Sequence, residues 1–201
     1  MHQAIGIEII SELPFGYLEY GDFSFAVSCY AQPCFDKPVE LWPTQPVAPF
    51  NKVYPLAPFL NDDGETFLAR YQGEAVGHIT LSKNWNDYTL IEEIAVSRHA
   101  RRQGIATALL DAARHWAREQ DTAGLMLETQ NNNLTACSCY QRYGFVLGGI
   151  DHLLYRGQPD IADHEIALFW YLPFNNEVGL LIYRFLGDAG FTLRTPYWPN
   201  Q

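Results

Sequence analysis

The sequence predicts an α/β fold in which helices flank a mixed β-sheet, and three segments carry that prediction. Residues 88–96 are dense in β-branched and apolar side chains, which indicates a buried strand. Residues 105–117 place their apolar side chains on one face of a helix. Residues 124–129 read as a further strand. The three segments therefore form a strand–helix–strand crossover, whose two strands run parallel.

The segments before the crossover add antiparallel strands and so make the sheet mixed. Residues 67–71 and 75–82 flank a compact Gln-Gly-Glu turn at 72–74, which predicts a β-hairpin. A second polar turn, Asn-Trp-Asn-Asp at 84–87, leads into strand 88–96. Three antiparallel strands are therefore expected before the helix at 105–117, which we call the organising helix.

The chain after the crossover predicts a second helix and two more strands. Three asparagines at 131–133 offer N-cap chemistry for a helix over residues 134–143, which Gly144 can end. Residues 145–155 and 165–171 then read as strands, because both are rich in apolar and aromatic side chains.

The first 65 residues show weaker patterns. Residues 23–27 predict a short strand. Seven prolines fall within residues 31–59, and repeated prolines interrupt helices and strand ladders, so this segment is expected to be mainly irregular. Its aromatic residues argue against a free linker. The segment is expected either to cover a pocket or to pack on the edge of the sheet.

Residues 1–174 are expected to form one domain, and residues 175–201 a C-terminal tail. Apolar residues recur in the tail at helical spacing, with a glycine positioned to end that helix. An apolar helix face must be buried, so the tail docks on this domain or on a second copy of the chain. A homodimer is one of these two expectations.

Charge and composition exclude several classes of function. A net charge of −10 argues against a nucleic-acid partner and is compatible with a cationic substrate, although many soluble proteins are simply acidic. No apolar run approaches the roughly 18 residues of a membrane span, and the N-terminus lacks a signal-peptide pattern. No membrane contact and a cytoplasmic location are therefore expected. The cysteines and histidines lack ligand spacing, so no metal is expected.

The turn that opens the organising helix has the chemistry of an anion site. It reads Arg-Arg-Gln-Gly-Ile-Ala at 101–106. Helix N-termini carry unpaired N–H groups and a partial positive charge, and a glycine lets a ligand approach the backbone. The turn therefore suits a phosphate or pyrophosphate, with a plain helix start as the alternative.

Two motifs in this order resemble the GNAT N-acetyltransferases. The turn at 101–106 fits R-x-x-G-x-A, the acyl-CoA pyrophosphate loop of that superfamily. The second helix fits its second acetyl-CoA motif, N-x-x-A-x-x-x-Y-x-x-x-G-F, through Asn133, Ala136, Tyr140, Gly144 and Phe145. The resemblance implies a sheet splayed at its middle strands, with acetyl-CoA as co-substrate in the notch.

Within the superfamily, the chain looks most like the streptothricin acetyltransferases. The segments that carry this similarity are NWNDY at 84–88, IEEIAV at 91–96, MLETQ at 126–130 and EIALFWY at 165–171. The similarity is good over residues 67–174. In the first 65 residues it is limited to the general character of the sequence, and it does not account for the tail. It implies an acceptor-side segment at 1–65 and an acetyl-CoA-binding core at 66–174.

The resemblance also implies which residues bind the two substrates. The acceptor is expected to be a small cationic amine, streptothricin-like, near Trp85, Glu128 and Trp170. The residues expected to contact acetyl-CoA are Ile94, Ala95, Val96, Arg101, Arg102, Gln103, Gly104, Ile105, Ala106, Thr107, Asn133, Ala136 and Tyr140.

Two glutamates and a tyrosine are the catalytic candidates. A lysine-like amine has a pKa of about 10.4, so a carboxylate that takes its proton assists the reaction. Adjacent strand residues point to opposite faces, so only one of Glu92 and Glu93 should face the reacting centre unless a bulge intervenes. Similarity to polyamine acetyltransferases favours Glu92. Tyr140 is expected to protonate the departing thiolate.

Other functions remain open on the sequence alone. A GNAT enzyme with this pattern could acetylate a polyamine, an aminoglycoside or a protein N-terminus. A non-catalytic acyl-CoA-binding module, with the tail helix serving oligomerisation, is the alternative from another class. Retention of Glu92, Tyr140 and Asn133 favours an enzyme.

Overall fold

Two β-sheets organise the part of the chain that the structure, a computed structural model, describes: residues 4–53, 56 and 64–174. The larger sheet has seven strands and the smaller has two. The strands are β1 (Gly6–Ile10), β2 (Phe25–Ala31), β3 (Thr44–Lys52), β4 (Gly64–Tyr71), β5 (Glu74–Lys83), β6 (Thr89–Val96), β7 (Gly124–Gln130), β8 (Val146–Asp151) and β9 (Ala167–Pro173). The helices are α1 (Tyr17–Tyr20), α2 (Ile105–Glu119) and α3 (Leu134–Tyr143), with 3₁₀ turns at Val39–Leu41 and Arg98–Ala100.

The large sheet has the order β1-β4-β5-β6-β7-β9-β8. Its neighbouring strands are antiparallel except β6 and β7, which are parallel because α2 connects them. The predicted α/β fold with a mixed sheet is confirmed, and so are the hairpin, the crossover and the second helix. Strand β1 at the edge was not predicted.

The middle of the sheet is splayed. Strands β6 and β7 pair only where Thr89, Leu90 and Ile91 lie opposite Leu125, Met126 and Leu127. Beyond that point β6 pairs with β5 alone and β7 pairs with β9 alone. A notch therefore opens between the C-terminal halves of the two central strands.

Helix α2 fixes one face of the sheet. Its buried residues include Leu109, Leu110 and Ala113, each with no exposed surface. The helix packs closely because β5 has Gly77 beneath it, where a Cβ atom would lie 2.9 Å from the carbonyl oxygen of Ala95 and 3.3 Å from Ile105. The N-terminus of α2 is thereby held at the open end of the notch.

The proline-rich segment is more regular than predicted. It contains β3, which pairs with β2 in an antiparallel sheet of two strands. Pro46 lies opposite Cys29, and Pro49 falls in the irregular step between Val27 and Cys29. Each strand of a two-stranded sheet has an open edge, where a missing N–H breaks no ladder. The expectation of a mainly irregular segment therefore missed a strand of nine residues.

Several boundaries also differ from the predictions. Strand β2 begins two residues later than the predicted 23–27 segment, β8 ends at Asp151, and β9 is shifted toward Pro173. The predicted tail helix lies in residues 175–201, outside the described residues, so its docking and the homodimer stay predictions. No helix in the described ranges is both long and apolar enough to cross a membrane.

Candidate active site

A β-bulge places both candidate glutamates on one face of the sheet. Thr80 of β5 lies opposite Glu93 and Leu81 opposite Ile91, so Glu92 is an extra residue in β6. Ser82 donates a hydrogen bond to Glu92 (Oγ–Oε1, 2.5 Å), and His78 hydrogen-bonds Glu93. Alternate residues of a strand share a face, so both carboxylates lie opposite the α2 side.

The two glutamates have different surroundings. Glu92 is exposed and lines a cleft, where its carboxylate can meet a diffusing amine. The Glu93 side chain is 12% exposed and engages the buried His78. Glu93 is not among the residues that line the cleft. The bulge therefore separates an accessible carboxylate from an internal one.

The cleft lies where β6 and β7 begin to diverge. Its volume is about 480 Å³, and it combines carboxylates, side-chain amides and aromatic rings. Glu92 and Glu128 are the first residues beyond the last paired positions of β6 and β7, so both carboxylates line the cleft at the fork. The lining residues are Asn84, Trp85, Asn86, Leu90, Ile91, Glu92, Met126, Glu128, Phe169 and Tyr171.

Glu128 is held by two neighbours that the sequence did not indicate. The hydroxyl of Tyr155 donates to its carboxylate, and Gln130 donates both to Glu128 (Nε2–Oε1, 3.2 Å) and to Tyr155 (2.8 Å). Partial burial raises the pKa of Glu128, and these hydrogen bonds oppose that shift. Burial, with Glu128 alongside, raises the pKa of Tyr155, so the phenol stays protonated and donates.

Trp170, a predicted substrate contact, lies on the other face of β9. It is 2% exposed and packs in the core, with its ring stacked on Trp42 at a centroid distance of 6.2 Å. Its neighbours Phe169 and Tyr171 point into the cleft instead. The structure thus places Trp85 and Glu128 at the cleft but not Trp170, which supports the cleft wall from behind.

The N-terminus of α2 has the geometry expected of an anion site. Gly104 precedes the helix with φ of +85°, and no side chain caps it. The first helical hydrogen bond runs from the N–H of Ala108 to the carbonyl of Gly104 (3.0 Å), so the N–H groups of Ile105, Ala106 and Thr107 lie before the first bonded turn. The flanking Arg102 and Gln103 are exposed.

Arg101 is used differently from its neighbours. Its guanidinium donates to the carbonyl oxygens of Val96 and Phe23, both at 3.0 Å. Burial lowers the pKa of Arg101. The side chain therefore fastens the end of β6 to the N-terminal segment, and this role competes with the predicted contact to pyrophosphate.

Helix α3 carries the remaining cofactor-side candidates. The side chain of Asn133 caps the helix by accepting from the N–H of Ala136 (3.2 Å). Tyr140 is 8% exposed, and its ring lies 6.4 Å from that of Trp170. The described residues give its hydroxyl no hydrogen-bond partner. Burial raises the pKa of Tyr140, so the phenol stays protonated.

The backbone of β6 completes the arrangement. Ile94, Ala95 and Val96 pair with β5 on one side only, and their other edge faces the notch. An open strand edge beside a helix N-terminus offers N–H and C=O groups to an extended ligand that carries a phosphate at one end. The residues at the notch thus fit acetyl-CoA.

Comparison with known proteins agrees with this geometry. The family model of the acetyltransferase (GNAT) family matches residues 26–145. The chain belongs to the GNAT acetyltransferase family. Streptothricin acetyltransferase A of Bacillus subtilis (strain 168) is 42% identical over 117 residues, which are 58% of this chain and 66%, just under two thirds, of the relative. Streptothricin acetyltransferase of Escherichia coli is 39% identical over 128 residues, or 64% of this chain and 73% of the relative.

A solved structure extends the similarity beyond those alignments. It is a protein of Bacillus anthracis str. Ames in complex with acetyl coenzyme A, with a TM-score of 0.72 and 32% sequence identity. The match covers 85% of this chain and 100% of that one. The predicted family, fold class and co-substrate are confirmed: the protein is a GNAT acetyltransferase that takes its acetyl group from acetyl-CoA.

In this GNAT acetyltransferase, substituting Gly104 should weaken acetyl-CoA binding. Gly104→Val puts a side chain at the predicted pyrophosphate site, so we expect the dissociation constant, measured by calorimetry, to rise about tenfold or more. Gly73→Val is a matched control, because Gly73 also has φ of +85° and open space around it, but lies in the β4–β5 turn. Equal affinities in the two variants would contradict the loop assignment.

Proposed function

We propose that this GNAT acetyltransferase acetylates a primary amine of a small cationic acceptor of the streptothricin type. The observation that carries the proposal is the cleft at the fork of β6 and β7. There, two carboxylates and three aromatic rings lie beside the predicted acetyl site. A cationic amine is attracted by carboxylates and by ring faces. The names of the Bacillus subtilis and Escherichia coli relatives support the same acceptor class.

Glu92 is the proposed general base. An ammonium group with a pKa of about 10.4 is protonated at pH 7, and its deprotonation costs about 4 to 5 kcal/mol. Glu92 is accessible from the cleft and is oriented by Ser82, so it can take the proton directly or through a water molecule. The internal position of Glu93 favours Glu92 over its neighbour.

Tyr140 and the backbone of β6 serve the other end of the reaction. Acetyl-CoA supplies an activated thioester, whose carbonyl oxygen gains negative charge when the amine attacks. N–H groups near Ile94 are proposed to stabilise that charge. The buried phenol of Tyr140 is proposed to donate its proton toward the departing sulfur. Asn133, beyond its capping role, keeps an amide N–H₂ group for the pantetheine arm.

Glu128 is proposed to select the acceptor rather than to take part in the proton transfer. Tyr155 and Gln130 occupy part of its hydrogen-bonding capacity and fix its orientation. A fixed carboxylate in the same cleft as Glu92 favours acceptors with a second positive charge. Trp85, Phe169 and Tyr171 add apolar contact and cation–π surface around it.

The proposal is tested by thiol release from acetyl-CoA over a panel of amines. The panel contains streptothricin, an aminoglycoside, spermidine and a peptide with a free N-terminus. We expect the highest kcat/KM for streptothricin, with acetylation of an amine confirmed by mass spectrometry. Higher kcat/KM for another amine would reassign the acceptor. Acetyl-CoA binding without turnover of any amine would favour a non-catalytic binding module.

A further inference from the structure

Two buried polar side chains, Tyr17 and His78, form a chain of hydrogen bonds with Glu93 that has no part in the proposed reaction. Tyr17 of α1 is 8% exposed and His78 of β5 is 1% exposed. The hydroxyl of Tyr17 lies 2.9 Å from Nδ1 of His78, and Nε2 of His78 contacts the carboxylate of Glu93. Buried polar groups are costly unless each is satisfied, so this chain of hydrogen bonds specifies one arrangement.

The orientation of the His78 imidazole follows from its two partners. A carboxylate oxygen only accepts, so Nε2–H of His78 donates to Glu93 and Nδ1 meets the hydroxyl of Tyr17. Burial, and secondarily the charge of Glu93, raises the pKa of Tyr17, so the phenol keeps its proton. Both ring nitrogens of His78 are therefore engaged, and the imidazole fixes the carboxylate of Glu93.

The chain of hydrogen bonds from Tyr17 through His78 to Glu93 ends at the β-bulge that presents Glu92. In a regular ladder, Glu92 and Glu93 would point to opposite faces, and one of them would enter the core beneath the sheet. Here Glu93 is drawn onto the cleft-side face by His78, while Glu92 stays on that face with Ser82. The hydrogen bond from His78 thus stabilises the register in which the accessible carboxylate reaches the cleft.

The N-terminal segment holds His78 in place. The rings of Tyr17, Phe23 and His78 meet edge to face. Their centroids lie 5.2 Å apart for Tyr17 and Phe23, 5.5 Å for Tyr17 and His78, and 6.1 Å for Phe23 and His78. The carbonyl oxygen of Phe23 accepts from Arg101, and the carbonyl of Asp22 accepts from the N–H of Arg98 (2.7 Å). The segment that covers His78 is therefore fastened to the loop after β6.

We propose that His78 is a positioning residue for the reaction, acting through Glu93 to hold the bulge that presents Glu92. Tyr17 fixes the orientation of the His78 ring through its contact with Nδ1. The proposal rests on the proposed function in one respect, the assignment of Glu92 as the general base. Neither His78 nor Tyr17 is proposed to touch the substrates.

A double-mutant cycle on the full chain tests this role. His78→Leu removes the donor to Glu93, so kcat should fall about tenfold or more, with the acetyl-CoA dissociation constant changed less than about twofold. In a Glu92→Gln background, where the base is already lost, His78→Leu should lower kcat by less than about twofold more. His78→Gln keeps an N–H donor near the position of Nε2 and should restore most of the activity.

Thr66→Val provides the control for lost stability. Thr66 of β4 is 5% exposed and shares a buried hydrogen bond with Thr80 (3.2 Å), but it lies one strand further from the bulge in β6. We expect a lower melting temperature with unchanged kcat. If His78→Leu does not fold, Tyr17→Phe removes only the hydroxyl and should show a smaller loss of kcat with the same non-additivity.

The outcomes separate this proposal from the one on which it rests. If Glu92→Gln alone left kcat/KM unchanged, the assignment of the base would be wrong. If the effects of His78→Leu and Glu92→Gln multiplied, His78 would not act through Glu92. A His78→Gln variant as inactive as His78→Leu would also overturn the positioning role.

Discussion

Replacing Glu92 by glutamine should lower kcat/KM at pH 7 by roughly two to four orders of magnitude, the usual range for a lost general base. The loss should shrink as pH rises, because the acceptor amine, with a pKa of about 10.4, increasingly deprotonates without help. Steady-state kinetics from pH 6.5 to about 10 measure both effects. Glu119→Gln is the matched control, since it makes the same chemical change at an exposed position near the end of α2.

Tyr140→Phe should behave differently across the same pH range. The proton that Tyr140 is proposed to donate goes to the departing sulfur and not to the amine. Deprotonation of the amine at high pH therefore does not replace it, so kcat should fall without recovering. The comparison is informative because each variant removes one proposed proton-transfer group and leaves the other. Parallel pH profiles for Glu92→Gln and Tyr140→Phe would show that the two proton transfers have been assigned to the wrong residues.

The local part of the fold was accessible from the sequence because its signals are local. Strands β4 to β7 and helices α2 and α3 have clear periodicity, turn residues and caps. The helix N-terminus at Gly104 follows from a motif whose chemistry is contained in six consecutive residues. Trp85 and Glu128 were placed at the acceptor by resemblance, and the structure puts both at the cleft.

The side of a strand that faces the cleft was harder to predict where alternation is absent or broken. Strand β9 lies between β7 and β8, and its central residues are almost all apolar, so the sequence does not show which of Phe169, Trp170 and Tyr171 face the cleft. In β6, a bulge puts Glu92 and Glu93 on one face, against the alternation rule. A bulge depends on the partner strand and has no local signature here.

Long-range side-chain pairs were missed for a related reason. Tyr155 contacts Glu128 across 27 residues, and Tyr17 contacts His78 across 61. Such pairs follow from strand order and register, which periodicity does not determine. Arg101 shows the converse: its spacing matches a phosphate motif, yet its guanidinium binds two carbonyl oxygens that only the folded chain brings together.

A largely buried ion pair joins strand β3 to the segment before β9, and its loss should be costly. Lys52 of β3 binds both carboxylate oxygens of Glu165, which also accepts from Asn132 (3.0 Å). The two side chains are 15% and 3% exposed. Glu165→Gln removes the negative charge from this largely buried pair and should reduce the free energy of unfolding by about 3 to 5 kcal/mol.

For a chain of this length, that loss corresponds to a fall in melting temperature of roughly 6 to 20 °C. Lys52→Met combined with Glu165→Gln removes both charges and keeps an acceptor for Asn132, so it should recover most of the stability. Glu8→Gln is the control, because its partner Arg70 lies in an exposed pair (42% and 47% exposed), worth at most about 1 kcal/mol. Urea unfolding measures all three variants. If Glu165→Gln were as mild as Glu8→Gln, the pair would not be what joins β3 to the segment before β9.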